Sequence, residues 1–513
     1  MNKIPKFELF AKKTQDEDDK ERIVNDAATS NVAYESLNGE SSGGHVTLPE
    51  IVAPTQGKEE GPTFTVDQAV NEIGFGWFQV KLSLLVGLSW MADSMEMMVL
   101  SILSAALQCE WELRPFEQAL ITTVVFGGMM VGSPFWGRLC DKHGRRLGLI
   151  LSTVVVLFFG TLSAFAPEYY TLLAGRALTG VGIGGLHAAV TLYAEYLPTS
   201  HRARCILLLA VFWAMGSLFE AVLAYFVMQS LGWRWLLGLS TIPVLLFLAG
   251  CFFLPESARY HVAIHRQDLA FEELKQIAKN NGKSMPAGRL VDTVPMNEER
   301  GKATDLFLPD LRLTTILLWF LWGICAFCYY GAVVYNAEFL RVLEQGHRRN
   351  ETGPVCHKLE THDYVDLMVS SFAEFPGIIA TILVIDLLGR KKSLAAEQIV
   401  FSVSIFALLF ARDRVTVDVA FFISRAVISG AFQILYVYTP EVYPTTLRSL
   451  GLGFCSGMGR LGAIVTPFIA EVISKLWLRF PVIFYGGAAV TAAIASLLLP
   501  IETKGREMQD SHL

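Results

Sequence analysis

Runs of about twenty apolar residues recur twelve times along the chain. The first six lie at roughly 80–107, 117–137, 147–166, 170–194, 204–228 and 234–254, and the second six at roughly 313–336, 365–388, 393–411, 416–438, 450–474 and 481–499. A helix rises 1.5 Å per residue, so a run of this length crosses a hydrocarbon core of ~30 Å. The pattern predicts an all-α membrane protein of twelve transmembrane helices. Glycine and proline interrupt several runs, which membrane helices accept where neighbouring groups satisfy the freed backbone. Residues 1–63 have no such period. They hold the acidic run Asp16-Glu17-Asp18-Asp19 and a Ser/Gly stretch at Ser41–Gly44, and read as a disordered tail. No basic segment followed by a short apolar stretch precedes the first span, so that span is expected to serve as the insertion signal.

Short loops rich in Lys and Arg stay on the cytoplasmic side. The loop after span two carries Arg138, Lys142, Arg145 and Arg146, the loop after span four Arg202 and Arg204, and the loop after span eight Arg390, Lys391 and Lys392. Pro167-Glu168-Tyr169, between spans three and four, carries no base. Even-numbered spans are therefore expected to end in the cytoplasm, with both termini there. The predicted organisation is a cytoplasmic tail (1–63), a six-helix half (64–254), a cytoplasmic linker (255–312) with a helical patch near Leu269–Lys279, a second six-helix half (313–502) and a short cytoplasmic tail (503–513). The loop 337–363 falls on the outer or lumenal side.

The two halves repeat one set of motifs. Asp141-x-x-Gly144-Arg145-Arg146 follows span two, and Asp386-x-x-Gly389-Arg390-Lys391 follows span eight. Glu195-x-x-Pro198-x-x-x-Arg202 follows span four, and Glu441-x-x-Pro444-x-x-x-Arg448 follows span ten. Glu256 after span six is matched by Glu502 after span twelve. The interval from Glu195 to Glu256 is 61 residues, as is that from Glu441 to Glu502. This is a six-plus-six duplication, the arrangement of secondary transporters that rock about a site between two halves. Each motif sets an acid, a helix breaker and a base at a helix end. The expected role is a cytoplasmic latch that closes only while the halves are together, beside the plainer role of basic loops in fixing topology.

Composition excludes other classes. Hydrophobic residues make up 52% and charged residues only 18%, against about 25% charged in soluble domains. Mean hydropathy is +0.42. An ordinary soluble enzyme and a disordered chain are both excluded. The net charge of −6 gives no reason to expect nucleic acid, and eight Cys are too few for a disulfide scaffold. The sequence has no P-loop, no Gly-x-Gly-x-x-Gly opening a soluble helix and no His/Cys metal cluster. No cofactor and no catalytic residues are expected. Cys325-x-x-Cys328, inside span seven, reads as packing, and Gly180-x-Gly182-x-Gly184-Gly185 as close helix contact in span four.

Ionisable side chains inside the spans cost ~3 kcal/mol or more each on insertion scales and so are candidates for function. Asp93 and Glu96 in span one are three apart and share a helix face. Arg176 in span four lies at a similar depth. A proton-coupling pair, a static ion pair and substrate binding all remain open for these groups. Glu220 in span five and Glu374 in span eight are further acids, open to substrate, proton or Arg. Arg425 is the repeat counterpart of Arg176. Arg460 stands near mid-membrane in Gly457-Met458-Gly459-Arg460-Leu461-Gly462, either as a substrate site or neutralised by Glu374 or Glu220. Trp213, Tyr329, Tyr330, Tyr436 and Tyr438 are candidates for lining a pocket.

The segments 137–146 (GRLCDKHGRR) and 176–185 (RALTGVGIGG) resemble the major facilitator superfamily. Pro255–Arg259 (PESAR) and 500–505 (PIETKG) resemble its sugar-porter and organic-ion branches. The stretches 64–78, 91–103, 193–198, 233–237 and 438–452 are similar to a vesicle-membrane branch, so that the resemblance spans about residues 64 to 506. It implies a secondary active transporter of a small organic ion, with an anion or zwitterion favoured and protons as coupling ion. In proton-coupled sugar porters an Asp of span one pairs with an Arg of span four, and Asp93 with Arg176 resembles that pair. Arg460 resembles the Arg that organic-anion transporters carry in this helix. The resemblance also implies a synaptic or cytoplasmic vesicle membrane, with the plasma membrane as alternative, and a protein functional as a monomer. A second function stays open: a vesicle protein using the transporter fold for binding or trafficking, with nucleotide binding linked to that branch.

Two outer-side features complete the sequence reading. Asn350-Glu351-Thr352 is a glycosylation sequon, and Cys109 and Cys356 fall on the same side, as a disulfide or as two free thiols. Protease treatment of sealed right-side-out vesicles should spare the N-terminal tail and cut the 337–363 loop. Cleavage of the tail would overturn the topology.

Overall fold

The computed structural model describes residues 62–291, 302–347 and 359–504. Eleven helical segments among them are long and apolar enough to cross a membrane: Trp77–Glu110, Pro115–His143, Arg145–Ala164, Tyr169–Glu195, Thr199–Val227, Trp233–Cys251, Arg312–Leu340, Thr361–Leu388, Arg414–Val442, Leu450–Lys475 and Phe480–Leu498. They are spans one to eight and ten to twelve. The ninth position is filled by Arg390–Ala407, an 18-residue helix. Its first turn holds Arg390, Lys391 and Lys392, and Glu397 lies inside it, so its charge content lowers its hydropathy.

Helices outrun the apolar runs because polarity ends a hydrophobic stretch without ending the backbone ladder. The clearest case is span seven, whose helix continues to His347 rather than stopping near residue 336. The first part of the expected outer loop is therefore helical, and Glu338 there is fully buried and paired with Lys475 of span eleven. Residues 1–61, Asn350, Cys356 and 505–513 lie outside the described residues. Cys109, near the end of span one, is disulfide-bonded.

Four spans are broken at defined points, span six among them, as Trp233–Ser240 and Ile242–Cys251 joined at Thr241. Span four is two helices, Tyr169–Leu186 and Ala188–Glu195, joined at His187. Span eight breaks at Ala373, so Pro376 stands in the first turn of the helix Glu374–Leu388, where a missing N–H does least harm. Span eleven passes from the helix Thr445–Pro467 into a π-helical turn at Phe468–Val472.

Small residues set the helix spacing within each half. A Cβ added to Gly180 of span four would stand 2.2 Å from the Val125 carbonyl oxygen of span two, and one on Gly132 of span two 2.2 Å from the Val181 oxygen. Gly182 and Gly185 meet span three through Val156 and Ser152. The second half does the same at Gly377 of span eight, where a Cβ would lie 2.3 Å from the Ala426 oxygen of span ten. Packing of this kind replaces the hydrophobic effect, which is absent between helices in lipid.

A small cap covers one end of the first half. Thr63–Phe64 pairs in parallel with Arg289–Leu290. Thr65 then caps the helix Val66–Ile73 in a reciprocal capping box with Gln68. Its buried face (Val66, Ala69, Val70 and Ile73) and that of the helix Gln267–Asn280 (Ala270, Leu274, Ile277 and Ala278) join one core. Asn281 accepts a 2.9 Å hydrogen bond from the Phe78 N–H at the start of span one. At the end of the molecule away from the repeated motifs, the halves meet through Ser104 and Glu471, which are hydrogen-bonded, and through Phe116 and Phe468, with ring centroids 5.6 Å apart.

Gly180→Ala should lower the thermal unfolding midpoint of the detergent-solubilised protein, with an overpacking penalty of about 1–3 kcal/mol. Gly137→Ala, where a Cβ meets nothing within 4 Å, is the control. Equal midpoints for the two variants would remove the close approach of spans two and four as a determinant of stability.

Candidate functional site

A cavity lies between the halves. The first half contributes Trp90 and Asp93 from span one, Phe126 and Met129 from span two, His187 from span four and Trp213 from span five. The second half contributes Trp322, Ala326, Tyr329 and Tyr330 from span seven, Ser429, Phe432, Gln433 and Tyr436 from span ten, and Ser456, Gly459, Arg460 and Ala463 from span eleven. Asp93 is 16 residues into the 34-residue helix of span one, so the cavity sits at mid-membrane. The aromatic rings touch in a continuous wall. Trp90 meets Trp213 at 5.9 Å and Tyr436 at 6.2 Å, Trp322 meets Tyr436 at 4.7 Å, and Phe126 meets Tyr330 at 4.8 Å. The Trp213 indole N–H donates to the Tyr329 hydroxyl at 2.5 Å, from one half to the other.

The charges sort differently from the sequence expectation. Arg176 pairs with Glu96, not with Asp93. Its guanidinium also donates to the Ser163 hydroxyl at 3.2 Å and the Gly160 carbonyl at 3.5 Å, both in span three. Three residues advance a helix by 300°, which leaves Asp93 and Glu96 about 60° apart around the axis. That rotation turns Glu96 into its own half, toward spans three, four and six, and turns Asp93 into the central cavity. Asp93 is only 8% exposed, and its Oδ1 has no hydrogen-bond partner among the described residues.

The other buried acids are also committed elsewhere. Glu374 accepts from Arg425 Nη2 at 2.7 Å and Nε at 3.1 Å and from the Tyr329 hydroxyl at 2.8 Å. It stands behind the cavity wall, in a fully buried ion pair with Arg425 of span ten; the motif spacing puts Arg425 about one helical turn past the repeat position of Arg176, which corrects the expected correspondence. Glu220 is fully buried against the Ser240 hydroxyl of span six at 2.8 Å, inside the first half and away from the cavity. Neither acid neutralises Arg460. Arg460 makes no ion pair within 4.0 Å among the described residues, and Tyr436, Asp93, Tyr330 and His187 are near enough to interact with it electrostatically. Of the substrate-binding candidates, Trp213, Tyr329, Tyr436 and Arg460 line the cavity, whereas Glu220 and Glu374 do not. Tyr330 lines it as well. Tyr438 is removed from it, donating to the Ile501 carbonyl at 2.6 Å. His187, Trp90, Trp322 and Gln433 were missed. A lone imidazole in an apolar span was a signal for the first, while nothing in the sequence separates the other three from packing residues.

The repeated motifs form two matching clusters. Gly144, with φ at +102°, ends span two, and the Glu256 carboxylate accepts from the Arg145, Arg146 and Ser257 N–H groups at 2.7, 3.2 and 2.9 Å. Gly389, with φ at +83°, ends span eight, and Glu502 accepts from the Arg390 and Lys391 N–H groups at 2.9 and 3.2 Å. A Cβ on Gly144 would stand 2.3 Å from a Glu256 oxygen, so glycine serves both the turn and the acid. Each acid thus caps the exposed N–H groups and positive dipole end of a third helix. Arg145 reaches Asp141 at 3.1 Å and Glu195 at 3.8 Å, and Glu195 accepts from Ser257. Arg390 turns to Glu441 at 3.0 Å rather than to Asp386. Arg202 lies 3.6 Å from Asp67. Arg448 stands half-buried early in the helix that begins span eleven. The expected latch between halves is corrected on this point: these ion pairs join groups of one half, because each Arg leaves its helix end toward the acid of the neighbouring span.

Comparison with known proteins agrees with this architecture. A sequence profile described as "Sugar (and other) transporter" matches residues 97–341, and one described as "Major Facilitator Superfamily" matches residues 362–512. The chain is 48% identical over 515 residues to the synaptic vesicle 2-related protein of Xenopus laevis, covering 99% of this chain and 93% of that protein. It is 34% identical over 491 residues to organic cation/carnitine transporter 7 of Arabidopsis thaliana, covering 87% and 96%. In fold it is similar to the xylose transporter XylE from E. coli in a partially occluded inward-open conformation, with a TM-score of 0.68 at 16% identity, over 84% of this chain and 99% of that one. The chain belongs to the major facilitator superfamily. It is an integral membrane transporter with the two-half, twelve-helix fold of that class.

Glu256→Ala and Glu502→Ala should each cost about 0.5–2 kcal/mol of stability, the range for loss of a helix cap. Because the two caps sit in different halves, their effects should add to within about 0.5 kcal/mol. A larger coupling in the double variant would restore a direct contact between the clusters.

Proposed function

We propose that this chain is a secondary active transporter of a small zwitterionic organic ion, carried through the central cavity by alternating access of the two halves. The observation that supports it is the pairing pattern. Arg176 and Arg425 have acids, while Asp93 and Arg460, from opposite halves, face one aromatic-walled cavity without an ion pair. A charge in a low-dielectric interior requires a counter-charge. A substrate with a cationic and a carboxylate end supplies both. Its carboxylate would take the planar fork of Arg460, its cation Asp93, and the rings of Trp90, Trp213 and Tyr436 suit a cationic or apolar body. The plant relative is named for organic cations and carnitine, and carnitine carries both charges. A scaffold used only for binding or trafficking would leave both groups without a use.

Glu96 and Arg176, with Asp93 nearby, are the groups proposed to couple transport to protons. Breaking the pair by protonating Glu96 would free Arg176 and change how spans three and four are held. The vesicle membrane is the proposed location, in keeping with the name of the Xenopus relative.

Uptake into proteoliposomes by a matched set of compounds tests this reading. A zwitterion should be preferred over its amine-only and carboxylate-only analogues. Arg460→Lys and Asp93→Asn should each reduce zwitterion uptake by about 10- to 100-fold, as expected for a charged hydrogen bond of ~1.5–3 kcal/mol. Glu96→Gln should abolish stimulation by a pH gradient and leave exchange intact. Wild-type preference for the amine-only compound would defeat the proposal.

A further inference from the structure

Glu397 lies in span nine, outside the cavity, and transport through the cavity leaves it unused. It is buried, at 8% exposed. Its Oε1 accepts a 2.6 Å hydrogen bond from the Thr381 hydroxyl of span eight. Its Oε2 has no hydrogen-bond partner among the described residues, and no cation there stands within 4.0 Å. Gly430 of span ten closes the site. A Cβ at that position would stand 1.9 Å from Thr381 Oγ1 and 2.9 and 3.0 Å from the two carboxyl oxygens. The carboxyl is therefore seated against the span-ten backbone. Ser429, beside Gly430, and Phe432 in the next turn line the substrate cavity on the other side.

The titratable group that faces Glu397 is the Cys325 thiol of span seven, whose sulfur accepts from Gln398. Arg425 of span ten is committed to Glu374, and span twelve carries no charged residue. The repeat supplies a comparison. Aligned on their motifs, Arg390 to Glu397 corresponds to Arg145 to Ser152. Ser152 is fully buried and donates to the Leu149 carbonyl of its own helix at 3.1 Å. The same interface in the first half closes with a serine, so packing alone does not call for an acid.

A buried ionised carboxylate with one donor, an orphan oxygen and no cation beside it is far less stable than its neutral form. We propose that Glu397 is a proton-binding site of the second half, set behind the cavity wall formed by span ten. Oε2 takes the proton, and Oε1 keeps the hydrogen bond from Thr381. The site is independent of the substrate assignment, since neither Glu397 nor Thr381 lines the cavity.

Infrared spectra of the full chain in lipid nanodiscs at neutral pH test it directly. The wild-type minus Glu397→Gln difference should contain a carboxylic-acid carbonyl band. Thr381→Val should move that band to higher frequency, because the carbonyl loses its hydrogen bond. A difference spectrum with carboxylate bands and no acid band would overturn the proposal. If Glu397→Gln does not fold, wild type against Thr381→Val decides alone: a shifted acid band supports the site, and an unshifted spectrum rejects it.

Discussion

Water is missing from the hydrocarbon core, and every charge placed there must find a partner or a cavity. Most of the interior follows from that constraint. Glu96 holds Arg176 inside the first half, and Glu374 holds Arg425 inside the second. The two acids come from spans one and eight, which do not occupy equivalent positions in the repeat, and Arg425 stands about one helical turn past the position that the motif spacing gives for Arg176. Once these pairs are made, Asp93 and Arg460 are left facing the same space.

The cavity wall depends on what lies behind it. Tyr329 lines the cavity, accepts from Trp213 across the halves and donates to Glu374, which is bound in turn to Arg425. A movement of one half relative to the other must strain or break the Trp213 hydrogen bond, and the far end of that chain is a fully buried ion pair. The wall of span ten is backed by Glu397 at Gly430. Buried polar groups of this kind fix one arrangement of helices more sharply than apolar contacts, because partly satisfied alternatives are unfavourable.

The repeated motifs have a different purpose from the mid-membrane charges. Glu256 and Glu502 satisfy N–H groups that a helix start leaves open, and Gly144 and Gly389 give the acid room. Arg145 and Arg390 then tie that helix start to the acids Glu195 and Glu441 at the ends of spans four and ten. Each half is braced as a rigid unit at this end, which is a requirement for rocking halves rather than a clasp between them.

Twelve apolar runs, two equal motif intervals and the small residues of span four were legible in the sequence, because length, spacing and side-chain size act locally. The presence of buried charges was legible too, and Arg460, Trp213, Tyr329 and Tyr436, singled out by residue type and depth, lie on the cavity wall. Which acid meets which base was not. Asp93 and Glu96 differ by 60° around one helix, and only the packing of spans three, four and six against span one decides that Glu96 faces Arg176 while Asp93 faces the cavity. Glu374 and Glu220 were removed from the site for the same reason, since their partners Arg425 and Ser240 are distant in sequence and adjacent only in the fold. The sequence by itself determined the class of protein and its inventory of charges. The tertiary structure decided their pairing, because in a medium without water a charge goes to whichever partner the helix rotation brings within reach.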